Sequence, residues 1–186
     1  MSKQLALSLF LVTVGFNAQA QGVHATLGED SLRFTYFTEA WGQEIGSLDI
    51  EAGILANNTN TTLLHLGGRV KHQNVSATIN LSVGARSYYT SINGKTGILV
   101  ALGGDLLLSP TSWSGMGIGM HYYTAPSVTA FADAEGFTEY SLSLNYQLTP
   151  QANLAFGFQL VNIDLKNELS DRDIEKGSFL SIKVEF

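Results

Sequence analysis

Apolar and polar side chains alternate with a period of two along much of this 186-residue chain. In residues 75–86, the apolar positions from Val75 to Ala85 alternate without a break with polar or small ones. Residues 137–148 repeat the pattern, with Tyr140 on the apolar face and Glu139 on the polar one. Successive side chains of a β-strand point to opposite faces, so the pattern predicts strands with one apolar and one polar face.

The alternation predicts ten strands. They cover residues 23–27, 31–38, 47–54, 62–71, 75–86, 97–107, 113–124, 137–148, 152–164 and 180–186. Tight connections at residues 73–74, 109–111 and 149–151 alternate with long polar ones at residues 56–61, 87–96, 125–136 and 165–177. Bacterial outer-membrane barrels show this asymmetry and an even strand count. The predicted fold class is therefore all-β, a closed antiparallel transmembrane β-barrel of ten strands, with eight strands as the alternative.

The two ends of the chain indicate export and assembly. Lys3, the apolar residues 5–16 and Ala18-Gln19-Ala20 form a predicted signal peptide over residues 1–20, which leaves the barrel at residues 21–186. The final strand ends on Phe186, which resembles the C-terminal signal read by the barrel-assembly machinery. The expected location is the outer membrane, with lipid and this machinery as partners and a monomeric barrel.

Composition narrows the class further. Charged residues make up only 14% of the chain, against about 25% in an average soluble protein, and there are 19 glycines. There is no cysteine, so no disulfide or cysteine-ligated metal is available. The net charge of −6 and the lack of a basic run argue against nucleic-acid binding.

A secreted, lipocalin-like barrel also alternates, but with its apolar face inside. Three observations favour lipid outside: the low charge content, a polar face built mainly from Ser, Thr, Asn, Gln and Gly, and the terminal Phe186. Tyr88, Tyr89, Tyr122 and Tyr123 fall near long loops, and Trp41 and Trp113 near the opposite rim, so they are expected to form interfacial aromatic belts.

With lipid outside, the polar face becomes the lumen. The candidate lumen-lining residues are Arg33, Asp49, Glu51, His65, Arg69, Arg86, Asp105, His121, Glu139, Lys183 and Glu185, and Lys71 shares their parity. Two interpretations remain open. Acidic and basic side chains are nearly balanced, which favours a paired, charge-plugged interior over a selective channel, but a narrow polar pore with a charged constriction is the competing interpretation.

Few residues suggest catalysis or ligand binding. His65 and His121 have inward parity, so a lipid-modifying site with a nearby serine is one alternative, although no spacing singles it out. The acids in residues 166–176 could bind calcium, but the intervening basic residues favour a solvated loop. Gly67-Gly68 and Gly103-Gly104 fall inside predicted strands, where glycine indicates a bulge or close packing.

Several short motifs occur in a recognisable order. They are Asp30-Ser31-Leu32-Arg33, Gly84-Ala85-Arg86, Gly103-Gly104, Tyr123-Thr124-Ala125-Pro126-Ser127, Phe131-Ala132-Asp133, Glu139-Tyr140, the segment from Tyr146 to Ala152, and Phe186. In this order the chain resembles the YfaZ family of small Gram-negative outer-membrane proteins. The resemblance implies the location and the barrel, and it transfers no catalytic residues. One departure is Gly157-Phe158-Gln159, where Gly-Tyr-Arg would be expected.

These inferences predict a non-enzymatic protein without a cofactor. It would be either a narrow pore for small solutes or a structural membrane protein with a charge-plugged lumen. The alternatives are the lipid-modifying enzyme and a surface-binding protein that acts through residues 125–136 and 165–177.

Overall fold

The computed structural model describes residues 21–43, 46–58, 61–72, 78–92, 94–166 and 172–186. The predicted signal peptide lies outside them. The strands are β1 (Gln21–Gly28), β2 (Ser31–Gln43), β3 (Gly46–Asn57), β4 (Thr62–His72), β5 (Ile79–Ile92), β6 (Lys95–Leu108), β7 (Met116–Ala125), β8 (Ala130–Ala132), β9 (Ala134–Thr149), β10 (Ala152–Leu165) and β11 (Arg172–Glu185). Thr111–Trp113 and Ser127–Thr129 form short 3-10 turns. No helix among these residues is long and apolar enough to cross a membrane.

Ten of these strands close into one antiparallel barrel, as predicted. Each long strand pairs with its sequence neighbour, β7 pairs with β9, and β1 pairs with β11 to close the ring. Gln21 and Phe186 meet through a hydrogen bond from the Phe186 N–H to the Gln21 carbonyl at 2.7 Å. The end of the barrel where they meet is called the terminus end below, and the opposite end the loop end.

The short strand β8 continues the barrel wall at the loop end. Strand β7 pairs with β6 only between Leu102 and Leu108. Closer to the loop end, β8 pairs with Gly97–Leu99 of β6. There β8 lies between β6 and β9. Strand β8 belongs to the predicted long loop 125–136, so part of that predicted loop forms the barrel wall.

The outer face of the barrel is apolar. Along β9, outward-facing Tyr140, Leu142, Leu144, Tyr146 and Leu148 are 40–65% exposed. Equivalent rows of Leu, Ile, Val and Phe continue around the barrel. In water such a surface would be very unfavourable, whereas a lipid bilayer accommodates it. The fold is therefore that of an outer-membrane-type β-barrel.

Several predicted boundaries were wrong. Strand β5 runs to Ile92 and β6 begins at Lys95, so the predicted loop 87–96 is mostly a hairpin. Gly94 has a φ of 83°, and the Asn-Gly pair in the sequence is the usual signal for such a tight turn. The start of the predicted strand 75–86 lies outside the described residues as far as residue 77, and β5 begins at Ile79.

Two other connections also differ from prediction. The predicted tight turn at 109–111 extends through a 3-10 turn, so β7 begins at Met116 rather than residue 113. Strand β11 begins at Arg172, inside the predicted loop 165–177. Ser114 and Gly115 have φ values of 51° and 87°, which a β-strand does not accommodate, so β7 cannot begin before them. The start of β11 is rich in charged residues and therefore resembles loop sequence. The two-residue connection between β9 and β10 is as predicted.

The interior at the loop end is mainly apolar. Fifteen buried side chains from β3 to β11 form one cluster, called the loop-end apolar cluster below. Its members are Leu55, Leu63, Tyr88, Ile92, Leu99, Ala101, Tyr123, Ala125, Ala130, Ala134, Phe137, Val161, Ile163, Leu165 and Ile174. Leu55, Leu99, Tyr123 and Val161 have no exposed surface at all. The expectation of a polar interior along the whole barrel was therefore wrong at this end, because these strand ends are apolar on both faces.

The predicted aromatic belt holds only in part. Tyr89 and Tyr122 are 46% and 44% exposed on the outer face near the loop end. Their neighbours Tyr88 and Tyr123 are fully buried inside, as strand alternation requires. Trp113 is exposed in the 3-10 turn between β6 and β7.

Candidate functional site

A network of charged side chains crosses the interior directly beneath the loop-end apolar cluster, and it is called the central polar network below. Glu139 of β9 is its most connected acceptor. It forms an ion pair with Arg33, accepts a hydrogen bond from the Tyr88 hydroxyl at 2.7 Å, and lies 3.3 Å from His121 Nε2. Only 3% of its side chain is exposed. This carboxylate therefore joins four strands across the barrel.

Two further arginines extend the network through β4 and β5. Arg69 lies 3.4 Å from both Asp49 and Asp105 and 3.7 Å from Glu51. Arg86 forms an ion pair with Glu51. The guanidinium of each of these two arginines therefore meets at least one carboxylate from another strand, which compensates for the cost of removing the charges from water.

Aromatic rings and a histidine complete the contacts of Arg86. Its guanidinium lies 4.1 Å from the centre of the Tyr123 ring, and its Nη1 lies 3.0 Å from His121 Nε2. Arginine over an aromatic face is a favourable arrangement. Tyr123 belongs to the loop-end apolar cluster, so Arg86 connects the polar and apolar layers of the interior.

The structure brings most of the predicted lumen-lining residues into this network. Arg33, Asp49, Glu51, Arg69, Arg86, Asp105, His121 and Glu139 share ion pairs or hydrogen bonds. Lys71 pairs with Asp49 nearer the terminus end, and Lys183 with Glu185 at 2.5 Å. His65 is buried with its ring centre 5.9 Å from that of Tyr88. Whether these residues line a path for solutes stays a prediction.

Inward-facing glycines make room for the large side chains of the network. Gly67 is paired directly with Arg86, and Gly84 with Arg69. A Cβ atom on Gly67 would lie 2.7 Å from Arg86 Cγ, and one on Gly84 would lie 2.8 Å from Arg69 Cβ. The interior of a barrel of this size is just wide enough for side chains. The absence of a side chain at Gly67 and at Gly84 therefore makes room for Arg86 and Arg69.

The candidate histidine His121 is not arranged for nucleophilic catalysis. His121 Nδ1 lies 2.6 Å from Asp105 Oδ1, as in a catalytic triad, but its Nε2 faces Arg86 and Glu139 instead of a serine hydroxyl. Among the described residues, no group of three His, Asp or Glu side chains is arranged to hold a metal ion.

Glu175 is an interior residue that the sequence reasoning missed. It was placed in a solvated loop, but it is 7% exposed inside β11. Its carboxylate accepts hydrogen bonds from Ser31 and, at 2.5 Å, from Gln159 Nε2. The alternation of Glu175 with exposed Lys176 could have indicated the strand, but it is only one residue pair long.

The closed ring, the apolar outer face and the filled interior define an outer-membrane-type β-barrel. The sequence matches the family described as "YfaZ precursor" over residues 2–186, so the chain belongs to the YfaZ family, as the resemblance predicted. No curated protein matches the chain.

Solved barrels are similar to the chain at low identity. One comes from a study of the in-meso crystallization of membrane proteins, with 10% identity, a TM-score of 0.48, and coverage of 91% of this chain and 83% of that one. The NanC porin has 10% identity and a TM-score of 0.42, with 91% and 99% covered. The outer membrane channel DcaP of Acinetobacter baumannii has 11% identity and a TM-score of 0.43, with 92% and 60% covered.

Proposed function

We propose that this protein is a non-enzymatic, non-conducting barrel of the bacterial outer membrane, with a structural role. The observation that carries the proposal is the loop-end apolar cluster. Its side chains come from β3 to β11 and are almost completely buried, so they occupy most of the interior at that end. Next to β2, the buried and hydrogen-bonded Ser31, Gln159 and Glu175 occupy the remaining side. A path for hydrated solutes would have to pass through this layer.

The central polar network supports the same function. Each of its carboxylates is paired with an arginine, so the network presents no unpaired negative charge to a passing cation. Glu51, for example, is 2% exposed and is shared between Arg69 and Arg86. Selective pores instead present side chains or carbonyls that a permeating ion can bind and leave. The paired network stabilises a narrow barrel without offering such sites to a cation.

The proposed location follows from the apolar outer face and the predicted signal peptide. Lipid would cover the exposed rows of Leu, Ile, Val and Phe. We further propose that the barrel-assembly machinery recognises the final strand through Phe186, whose side chain is 63% exposed on the outside. The contacts of His121 support a non-enzymatic function, because its Nε2 contacts Arg86 and Glu139 rather than a serine hydroxyl.

Single-channel recording in a planar bilayer tests the proposal. The refolded mature barrel, checked by its heat-modifiable gel band, is expected to give no discrete conductance steps. The double variant Tyr123→Ala/Phe137→Ala removes two large side chains from the loop-end apolar cluster and is expected to produce steps. Tyr122→Ala is the matched control, because Tyr122 is next to Tyr123 on β7 but faces the lipid side, and this variant should give no conductance steps. Steps from the unmodified barrel would overturn the proposal.

A further inference from the structure

A cavity of about 240 Å³ lies in the barrel beneath the loop-end apolar cluster. Its wall includes members of the central polar network and continues to Asn153 and Lys183, which pair with each other near the terminus end. The loop-end apolar cluster blocks the other direction. The cavity is therefore a blind pocket that is approached from the terminus end, and it is large enough for more than a single water.

Cationic side chains line one side of this cavity. Lys183 of β11 pairs in register with His24 of β1. Arg33 of β2 pairs with Thr26, two residues further along β1. Lys183 also lies 4.7 Å from the centre of the buried Phe37 ring, and Arg69 lies 5.9 Å from the same centre. Lys183 on β11 and Arg33 on β2 therefore place positive charge on either side of β1. The carboxylates of Glu51, Asp105 and Glu139 also line the cavity, and each is already paired with an arginine.

The cationic side of the cavity has more hydrogen-bond donors than acceptors. Arg33 contacts Glu139 through Nη1, while its Nε and Nη2 are buried and have no hydrogen-bond partner among the described residues. Arg69 Nε is also buried and has no hydrogen-bond partner among the described residues. Lys183 donates to Glu185 at 2.5 Å, which uses one of its three N–H groups. Buried donors on charged groups without acceptors are costly, so this side is suited to an additional anionic acceptor.

Neutral hydroxyl and amide side chains also line the cavity. Three of them come from β9, where they alternate with the lipid-facing residues, and three come from β10 and β11. The cavity-lining members are Ser141, Ser143, Asn145, Asn153, Gln159 and Ser181. Such groups both donate and accept hydrogen bonds, so they match a ligand that carries hydroxyl groups.

We propose that this cavity is a binding site for a small hydroxylated organic acid. The ligand's carboxylate would lie against Arg33 and Lys183, and its hydroxyl groups would face Ser143 and Asn145. It enters and leaves through the terminus end, because the loop-end apolar cluster closes the other side. The site requires no conduction, and binding and conductance are measured independently.

Isothermal titration calorimetry of the refolded mature barrel in zwitterionic detergent micelles tests this inference, with glucuronate as the probe and glucose as its neutral counterpart. One glucuronate is expected to bind per barrel, and glucose is expected not to bind. Lys183→Gln should weaken glucuronate binding by about tenfold, since it removes one charge-assisted contact. Lys176→Gln is the matched control, because Lys176 is 59% exposed on the same strand, and it should bind normally.

Arg33→Gln should also weaken binding, but Arg33 pairs with buried Glu139 and its replacement could prevent folding. Lys183→Gln keeps the test valid in that case, because Lys183 is one-third exposed and its one ion pair among the described residues is with Glu185. Equal binding of glucose and glucuronate, an equal loss in Lys176→Gln, or no binding of glucuronate would each overturn the proposal. Binding of inorganic phosphate without glucuronate would overturn the assigned ligand class.

Discussion

Replacing Glu139 by glutamine is expected to lower the free energy of unfolding by about 3 to 5 kcal/mol, the usual cost of removing one partner from a buried ion pair. The glutamine has nearly the same shape but no charge. It would leave the Arg33 guanidinium, which is only 13% exposed, without the one carboxylate that contacts it among the described residues. The Tyr88 hydroxyl would lose its ionised acceptor in the same change.

The assay is urea unfolding of the barrel refolded into lipid vesicles, followed by intrinsic fluorescence and by the heat-modifiable gel band. Glu135→Gln is the matched control, because Glu135 lies four residues earlier on the same strand and is exposed. Changes at such exposed positions usually stay within about 0.5 kcal/mol.

The reasoning would be refuted if Glu139→Gln and Glu135→Gln unfolded at the same urea concentration. In that case water or a rearranged partner would compensate Arg33, and the central polar network would not stabilise the barrel. The double variant Arg33→Gln/Glu139→Gln provides a second check. It should be more stable than Glu139→Gln alone, because it removes the unpaired charge along with its partner.

Three further predictions concern space, pH and assembly. Gly67→Leu is expected to prevent or strongly destabilise folding by displacing Arg86, as measured by the fraction of heat-modifiable protein. Hydrogen bonds from the Ser178 N–H and hydroxyl lower the pKa of Glu29 from 4.5, so this carboxylate stabilises the fold above that pH and loses its effect as pH falls through the lowered pKa. Glu29→Gln should therefore unfold at lower urea than the unmodified barrel at about pH 7, and the difference should shrink toward about pH 3. Phe186→Ala is expected to reduce the amount of folded barrel in isolated outer membranes without changing its stability once folded.

The strand pattern was predictable wherever one face is apolar and the other polar. Strand β9 is the clearest case, because its lipid-facing residues alternate with inward Ser and Asn. The pattern failed near the loop end, where residues such as Leu99 and Val161 face inward and make both faces apolar. Period-two alternation is then lost, although the strand is still present.

The charged residues of the interior were predictable from parity alone, because a charge facing lipid would be very costly. Their partners were not predictable. Arg33 and Glu139 are far apart in the sequence, and β2 and β9 are not neighbours in the sheet. Which charges meet depends on the tilt and stagger of the closed barrel, and alternation carries no information on either.

Inward-facing glycines are a further signal that could have been used. Once the hairpin pairing is set, Gly67 falls opposite Arg86 and Gly84 falls opposite Arg69. A small residue facing each large one indicates close cross-strand packing in a narrow interior. The sequence interpretation recognised close packing at Gly67 but not which side chain occupied the space.

Site-directed thiol labelling tests the closed loop end most directly. The chain has no cysteine, so a single introduced one reports without background. In barrels refolded into vesicles, a membrane-impermeant thiol reagent is expected to label Asn145→Cys, which lines the cavity, and to leave Ala101→Cys in the loop-end apolar cluster unlabelled until urea unfolds the protein. Rapid labelling of Ala101→Cys in the folded barrel would contradict the account, because water and solutes would then reach through the layer that is proposed to close it.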